Sequence, residues 1–316
     1  MKISGFTFLR NTSKLYYPIL ESIQSALPVV DEFVIALGKG DADDDSEAKI
    51  CSLHSDKIRI IHTEWDIETF TGGTEFARQT DIAKAHCTGD WLLYIQGDEL
   101  IHEEDYAEIT TKCKQFFNNA EVDGFLFNYY HFYGDYGHYF RDHCWYPCEI
   151  RIVRNDPEIH SFADAQSFRR IPNFDGKSYR QKEGTFKLNV VKLKANMYHY
   201  GWVRPPKLMR KKRKYFAKSY RGDIATKAEY KKYAEGYDYG RMDYCLKFKG
   251  THPKVMHNKI KTLDWKEMLR FSGPNVIGRP EAKHEKRKYR IIIWIERNLF
   301  EGRVLGGYKN YNEIRT

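Results

Sequence analysis

The stretch Gly89-Asp90-Trp91-Leu92-Leu93-Tyr94-Ile95-Gln96-Gly97-Asp98-Glu99 decides the fold predicted for this chain. Its apolar run, Trp91 to Ile95, has the length and composition of one buried strand. Gly97 permits a close approach to the backbone, and Asp98 and Glu99 follow at the carboxyl end of the strand, where open α/β sheets bind ligands. Because Mg²⁺ is held by one or two carboxylates plus substrate phosphates, the stretch favours a metal-diphosphate site. The alternative is an acidic turn after a core strand.

The segments on either side of this strand alternate between strand and helix patterns. The predicted strands, besides the central one, are 2–9, 31–37, 57–62, 123–130, 149–154 and 190–200. Helices are predicted between the early strands and over 75–87 and 104–118, whereas 129–146 and 157–169 are predicted to be loops. This alternation is typical of βαβ units. It predicts an α/β fold with a mixed, mainly parallel sheet flanked by helices.

The bulk composition indicates a globular protein with an anionic partner. The 316 residues have a net charge of +9, and 41% of them are hydrophobic, which excludes a disordered chain. The N-terminus lacks the pattern of a signal peptide, and no apolar run approaches the roughly 20 residues of a membrane span. We therefore expect a cytoplasmic protein, or one on the inner face of the membrane. Cys144 and Cys148 have no matching second pair, which favours buried thiols over zinc.

A change in composition near residue 205 predicts a boundary between two parts. Residues 1–205 are the expected catalytic domain, and 206–316 are a basic, mainly helical extension. Six of the eight residues from Lys207 to Lys214 are basic. This run is the better candidate for contact with an anionic membrane surface, because six charges in eight residues cannot be buried. A helix predicted over 284–300 combines apolar positions with Lys and Arg, which suits either the same surface or docking on the catalytic domain.

The first 200 residues resemble family 2 glycosyltransferases with the GT-A fold, a Rossmann-like fold of nucleotide-diphospho-sugar transferases. The likeness is closest to the bacterial branch that builds lipopolysaccharide and capsule sugars. In that branch the metal strand typically has the sequence Asp-Trp-Val-Leu-x-Leu-Asp-Ala-Asp-Glu, which Asp90 to Glu99 match except at Gln96 and Gly97. Ala77 to Ala83 are similar to the family's Ala-Arg-Asn helix. Phe8-Leu9-Arg10-Asn11 resembles its first strand and nucleotide loop.

The resemblance implies transfer of a sugar from a nucleotide-sugar to a hydroxyl of a glycan or lipid-linked acceptor, with inversion and with Mn²⁺ or Mg²⁺. Asp98 and His199 are the implied metal ligands, and Glu99 is expected to orient the acceptor or a metal-bound water. Asp164 is the candidate general base, with Glu149 and Asp142 as runners-up. The implied donor-binding residues are Phe8, Arg10, Asn11, Asp41, Arg78, Asp81, Gln96 and Gly97.

The chain departs from the family at three places. Gly38-Lys39-Gly40-Asp41 replaces the usual Asp-Asp-Gly-Ser, so the carboxylate that would contact the base is either missing or displaced into Asp41 to Asp45. Gln96 removes one carboxylate from the metal motif, and the late His-Glu pair of the family is absent.

Two other functions compete with this interpretation. The basic run from Lys207 to Lys214 suits a nucleic-acid-binding protein, although no recognised motif accompanies it. A nucleotidyltransferase also places carboxylates at strand ends, but it normally brings a Gly-rich phosphate loop near the first strand, and Phe8 to Asn11 have none.

Overall fold

The computed structural model describes residues 1–221, 236–274, 279–306 and 308–315. Its strands are β1 (Ile3–Leu9), β2 (Glu32–Gly38), β3 (Ile58–Thr63), β4 (Trp91–Tyr94), β5 (Glu99–Ile101), β6 (Gly124–Tyr133), β7 (His138–Phe140), β8 (Cys148–Arg154), β9 (Ile159–Phe162), β10 (Ser167–Arg170), β11 (Asn189–Trp202), β12 (Leu246–Lys247) and β13 (Asn312–Ile314). Its α-helices are α1 (Ile19–Ala26), α2 (Ser46–Cys51), α3 (Thr74–Ala85), α4 (Tyr106–Gln115), α5 (Pro206–Arg221), α6 (His257–Lys261) and α7 (Arg287–Leu299).

Within these described ranges, eleven of the strands form one mixed sheet in the order β12-β7-β6-β8-β4-β1-β2-β3, and β11 joins it beside β6, β5 and β13. The block β3-β2-β1-β4 is entirely parallel, and β8 then pairs antiparallel with β4. The remaining two strands, β9 and β10, form a separate hairpin. The predicted α/β class with a mixed sheet and flanking helices is confirmed.

Every residue of the central strand β4 is apolar, because both faces of the strand are covered by hydrophobic cores. Trp91 and Leu93 belong to the core on the side of α1 and α4, and Leu92 and Tyr94 to the core on the side of α3. All four side chains are buried, and the indole nitrogen of Trp91 donates to the Cys113 carbonyl at 3.0 Å. A strand fixed in this way holds the residues that follow it in a defined position.

Two segments that were predicted to be loops contain strands. The 157–169 segment is largely the β9–β10 hairpin, and Asp164 lies in its turn. In the aromatic segment, β6 continues to Tyr133 and β7 pairs antiparallel with it. Aromatic side chains favour strands, so their density here stabilises an extended β6 rather than an irregular loop.

The residues after 205 share a core with residues 1–205. Buried aromatic and aliphatic residues of β6, β11, α5 and the later segments form one cluster, and β12 and β13 pair with β7 and β11. Helix α7 is anchored by buried Ile293 and by Glu296, whose carboxylate lies 2.9 Å from the ring of His143. Among the described residues, no helix combines the length and apolarity that crossing a bilayer requires.

Candidate active site

A cavity of about 580 Å³ opens beside the carboxyl ends of β1 and β4. Seven residues that were predicted to bind or react with ligands line it: Phe8, Arg10, Gln96, Gly97, Asp98, Asp164 and His199. The opposite wall is formed by α5, through side chains that include Met209, Lys212, Phe216 and Tyr220. The structure therefore brings both predicted metal ligands, the candidate base and four of the eight predicted donor residues to one cavity, and it adds a helix that was assigned to the extension.

Asp98 is the central anion of this cavity. It is only 5% exposed, and Lys212 Nζ donates to its Oδ2 at 2.9 Å. Burial alone would raise the pKa of Asp98, but the opposing charges, chiefly that of Lys212, hold the pKa well below its usual value. The carboxylate is therefore ionised and free to bind a cation through Oδ1.

A chain of hydrogen bonds fixes the tautomer of His199. A carbonyl can only accept, so His131 Nε2 donates to the Tyr146 carbonyl at 2.8 Å. The other ring nitrogen of neutral His131 must then accept, and His199 Nδ1 donates to it at 2.9 Å. Burial lowers the pKa of both histidines, so both rings are neutral. His199 Nε2 therefore has a free lone pair, and it lies 3.8 Å from Asp98 Oδ1.

The donor set of Asp98 Oδ1 and His199 Nε2 fits a divalent cation that is also held by a substrate diphosphate. A partner that fixes the ring orientation of a ligating histidine is a usual feature of metal sites, and His131 is such a partner. Gly201 leaves the space beside both groups open, because a Cβ there would overlap the His199 ring and lie 2.9 Å from Asp98 Oδ2. Among the described residues no group of three His, Cys, Asp or Glu side chains could hold an ion, and phosphate oxygens and water are the ligands that would complete such a site.

Asp164 is presented to the cavity by a strained turn. The residues on both sides of it, Ala163 and Ala165, have φ values of +58° and +63°, which are uncommon for residues other than glycine. Tyr220 OH donates to Asp164 Oδ2 at 2.7 Å. Strain of this kind persists where the surroundings impose it and is frequent at active sites. The placement agrees with the candidate base role of Asp164.

Gln96 connects the motif strand to the Asp164 turn. Its side-chain nitrogen donates to the Ala165 carbonyl at 3.2 Å. A carboxylate at this position could not donate that hydrogen bond. The replacement of the family's aspartate by Gln96 therefore has a structural reason, although Gln96 still lines the cavity.

Glu99 does not have the role that was expected for it. Its carboxylate is fully buried and forms a bidentate ion pair with Arg151, with both N–O distances at 2.8 Å. Tyr129 OH and the Gln96 backbone nitrogen donate to it at 2.7 and 3.1 Å. These four hydrogen bonds leave no oxygen directed at the cavity, so Glu99 stabilises the strand end and does not contact an acceptor or a metal-bound water.

Two predicted donor residues also lie outside the cavity. Arg78 donates to Glu75 Oε2 and to the Glu64 carbonyl, both at 2.9 Å. Asp81 accepts from the Ser161 backbone nitrogen at 2.8 Å and lies 2.9 Å from His160 Nδ1, so it attaches the β9–β10 hairpin to α3. The assignment of this pair to donor binding is corrected, because both side chains are engaged in holding the fold.

Asn11 and Asp41 form a link between the first two strand ends. The Asp41 backbone nitrogen donates to Asn11 Oδ1 at 2.8 Å, and Lys14 Nζ lies 2.7 Å from Asp41 Oδ2. Asp41 borders a second cavity of about 400 Å³, whose wall includes Gly38, Lys39 and Gly40. The two residues therefore lie beside the main cavity rather than in its lining.

The runner-up bases are buried in other contacts. Glu149 accepts from Ser167 Oγ at 2.7 Å, and burial raises its pKa. Asp142 lies 3.2 Å from Arg297 of α7, and burial raises its pKa as well. Neither residue lines the cavity.

Sequence reasoning missed three side chains that contact the predicted site residues: His131, Lys212 and Tyr220. His131 lies on β6, which pairs in parallel with β11 so that His131 and His199 are partners in the register. Lys212 and Tyr220 lie on α5, in or after the basic run that was considered for nucleic-acid binding. The spacing of Met209, Lys212 and Phe216 along α5 is that of one helix face, which is the signal that could have identified it.

No protein family model and no curated protein matches the chain. The chain is similar to the solved structure of glucosyl-3-phosphoglycerate synthase from Mycobacterium tuberculosis with Mn²⁺, UDP and phosphoglyceric acid, at 16% identity and a TM-score of 0.29 over 41% of this chain and 43% of that one. It is also similar to S. aureus TarS 1-349 in complex with UDP-GlcNAc, at 15% identity and a TM-score of 0.37 over 69% and 66% of the chains. The chain thus spans less than two thirds of either structure. A likeness this distant does not transfer an activity, so function has to be inferred from the cavity itself.

Proposed function

We propose that this chain is a GT-A glycosyltransferase that moves a sugar from a nucleotide-sugar donor to the hydroxyl of an acceptor. One observation supports this above all: an ionised carboxylate oxygen of Asp98 faces the free lone pair of His199 in a cavity that also contains Arg10 and Lys212. Two ligands with room for phosphate oxygens suit a diphosphate that is bound through a cation. The cations of the lining suit the same anionic group.

In this proposal Asp98 Oδ1 and His199 Nε2 hold the divalent ion, Mn²⁺ or Mg²⁺. When bound, such an ion neutralises charge on the leaving diphosphate. The two solved structures described above include a complex with Mn²⁺ and UDP and one with UDP-GlcNAc, which agrees with this choice of ligands without determining it.

Asp164 is the proposed general base. During transfer, the acceptor oxygen forms a bond to the anomeric carbon of the sugar while the bond from that carbon to the phosphate oxygen breaks. The acceptor proton goes to the Asp164 carboxylate, and the leaving nucleoside diphosphate keeps the bonding electron pair. Attack from the side opposite the leaving group inverts the anomeric configuration. The support for this role is the strained turn that presents Asp164 to the cavity.

The aromatic lining supports a carbohydrate ligand. Phe8 and Phe76 stack with ring centroids 5.7 Å apart, and Trp65, Tyr146 and Trp202 also line the cavity. Such rings present flat apolar faces on which the C–H side of a sugar or the plane of a base can pack. We propose that Phe8 and Arg10 contact the donor, while Asn11 and Asp41 shape the neighbouring loop.

The proposal also includes three more specific assignments that come from the sequence. They are membership of family 2, a glycan or lipid-linked acceptor in cell-surface polysaccharide or lipopolysaccharide synthesis, and a cytoplasmic location with peripheral attachment to the inner face of the membrane. The nucleic-acid alternative is weakened by α5, because Lys212 of its basic run points into the cavity rather than into solvent.

Thermal-shift screening against nucleotide-sugars, with and without Mn²⁺, tests the proposal. A ligand of the native state raises the melting temperature by mass action, so a matching donor should stabilise the protein, and Mn²⁺ should increase the shift. In the Asp98→Asn variant, Mn²⁺ should no longer increase the shift in melting temperature. Stabilisation by RNA or DNA alone, with no response to any nucleotide-sugar, would favour the nucleic-acid alternative instead.

A further inference from the structure

Lys212 lines the cavity and is held there by several contacts. Its side chain is 14% exposed, and its ammonium donates to Asp98 Oδ2 and to the Gly201 carbonyl, both at 2.9 Å. The same nitrogen lies 4.8 Å from the ring centroid of Tyr17 and 5.4 Å from that of Phe216. A carboxylate, a carbonyl and two aromatic faces therefore hold one cation in place.

This arrangement leaves part of the ammonium available to a ligand. An ammonium group has three N–H donors, and two of them have partners among the described residues. Lys212 also lines the cavity, so the third donor can reach a ligand there. A lysine ammonium is a compact point charge, which suits a phosphate oxygen.

Asp98 can serve Lys212 and a metal ion at the same time. Oδ2 is taken by Lys212, whereas Oδ1 faces His199 Nε2. The two oxygens of the carboxylate thus place two cations on adjacent sides of one anionic site. A diphosphate has enough oxygens to contact both.

We propose that Lys212 is a catalytic residue of the transfer, in which its ammonium binds the diphosphate of the donor and neutralises the charge that develops on the leaving group. This inference rests on the proposed function. It assigns to α5, which lies in the extension, a direct part in the reaction. It also predicts that diphosphate recognition does not depend on the divalent ion alone.

The test is calorimetric binding of UDP, GDP, ADP and CDP, each compared with its own monophosphate, in the presence of EDTA. Wild-type protein should bind at least one diphosphate about tenfold more tightly than the monophosphate, since the second phosphate gains a charge-assisted hydrogen bond from Lys212. Lys212→Gln should lose this preference, and Lys212→Arg should retain most of it. Lys211→Gln is the matched control, because Lys211 is the exposed neighbour on the same helix and does not line the cavity.

Each outcome bears on the inference separately from the proposed function. If wild type prefers a diphosphate in EDTA and Lys212→Gln binds it with the same preference, Lys212 is not the diphosphate ligand. If Lys212→Gln fails to fold, the wild-type measurement decides, because equal affinities for diphosphate and monophosphate in EDTA overturn the inference. Diphosphate binding that appears only with Mn²⁺ rejects Lys212 but leaves the transferase proposal intact. Absence of nucleotide binding under both conditions rejects both.

Discussion

Asp98 and Glu99 are neighbours in the chain, yet their side chains enter different environments. Asp98 lines the cavity, whereas Glu99 is buried outside it and accepts hydrogen bonds from Arg151. Both ends of the Glu99–Arg151 pair are fully buried. Removal of one partner leaves an uncompensated charge in a medium that solvates it poorly.

Glu99→Gln should therefore destabilise the protein by about 3–5 kcal/mol. Denaturant unfolding followed by circular dichroism measures this loss. Glu64→Gln is a matched control, because the Glu64 side chain is 83% exposed, and it should unfold at nearly the wild-type midpoint. If Glu99→Gln unfolds at the wild-type midpoint while losing turnover, Glu99 is a functional residue after all.

A change at Asp164 should reduce turnover rather than stability. Asp164→Asn removes a proton acceptor without adding bulk, so transfer should fall by about 10²–10⁴-fold, the usual contribution of general base catalysis. Affinity for the nucleotide-sugar should stay near the wild-type value, as measured by calorimetry. Lost donor binding with surviving turnover would place Asp164 in the donor site or in the structure instead.

Sequence predicted some site residues correctly and others not, depending on whether strand order or a tertiary contact decides their position. Asp98 follows the buried strand β4, and His199 lies near the C-terminal end of β11, so sequence could place both at the edge of the sheet where ligands bind. Arg78 and Asp81 were chosen for lying three apart on a helix, which indicates a shared face but not what that face contacts. His131 depends on the register between β6 and β11, which local pattern does not give. For Lys212, the spacing along α5 indicates a shared helix face but not what that face contacts.

At the level of elements, α7 combines docking with an exposed apolar surface. Ile293 and Glu296 face the domain, while Ile291 and Trp294 are 52% and 59% exposed. Exposed Lys286, Arg287 and Lys288 precede them. The prediction of a membrane-surface helix and the prediction of a docked helix thus apply to different sides of the same helix.

Co-sedimentation with vesicles tests the membrane prediction. Protein should bind vesicles that contain anionic lipid and dissociate as salt screens the attraction. The double change Ile291→Ser and Trp294→Ser should weaken binding, whereas Met268→Ser, at an exposed apolar position elsewhere, should not. Lack of binding to anionic and neutral vesicles at low salt would contradict the prediction.

Sequence predicted the elements best where burial dictates the pattern. β4 was identified because a strand covered on both faces must be apolar throughout. The β9–β10 hairpin was missed because the two turn residues with positive φ, Ala163 and Ala165, are alanines rather than the glycine or asparagine that usually occupy such positions. The backbone conformation there is imposed by tertiary contacts such as the one from Gln96.

For the molecule as a whole, the extension cannot be separated cleanly from the catalytic part. His252 illustrates this, since its ring accepts from Tyr200 OH at 2.7 Å and donates to the Tyr136 carbonyl at 3.0 Å. Burial lowers the pKa of His252 from 6.5 to about 4. The boundary near residue 205 therefore marks a change in composition within a shared core.

This histidine predicts how stability depends on pH. The unfolded chain binds its proton near pH 6.5 and the folded chain only near pH 4, so the contribution is complete above pH 6.5 and is lost as pH falls toward 4. Between pH 7 and pH 5 the loss at this site is about 2 kcal/mol. His252→Gln, which keeps a donor for the Tyr136 carbonyl, should show a smaller drop in unfolding midpoint over that interval. Equal drops in both proteins would contradict the assignment.

The rate of nucleoside diphosphate release from nucleotide-sugars in the presence of Mn²⁺ tests the central claim most directly. Wild-type protein should release the diphosphate from a matching donor, and Asp98→Asn should reduce the rate by at least about 100-fold, because the group that anchors both cations of the leaving-group site is lost. Asp98→Asn that turns over at the wild-type rate, or wild-type protein that releases pyrophosphate from nucleoside triphosphates but no diphosphate from any nucleotide-sugar, would contradict it.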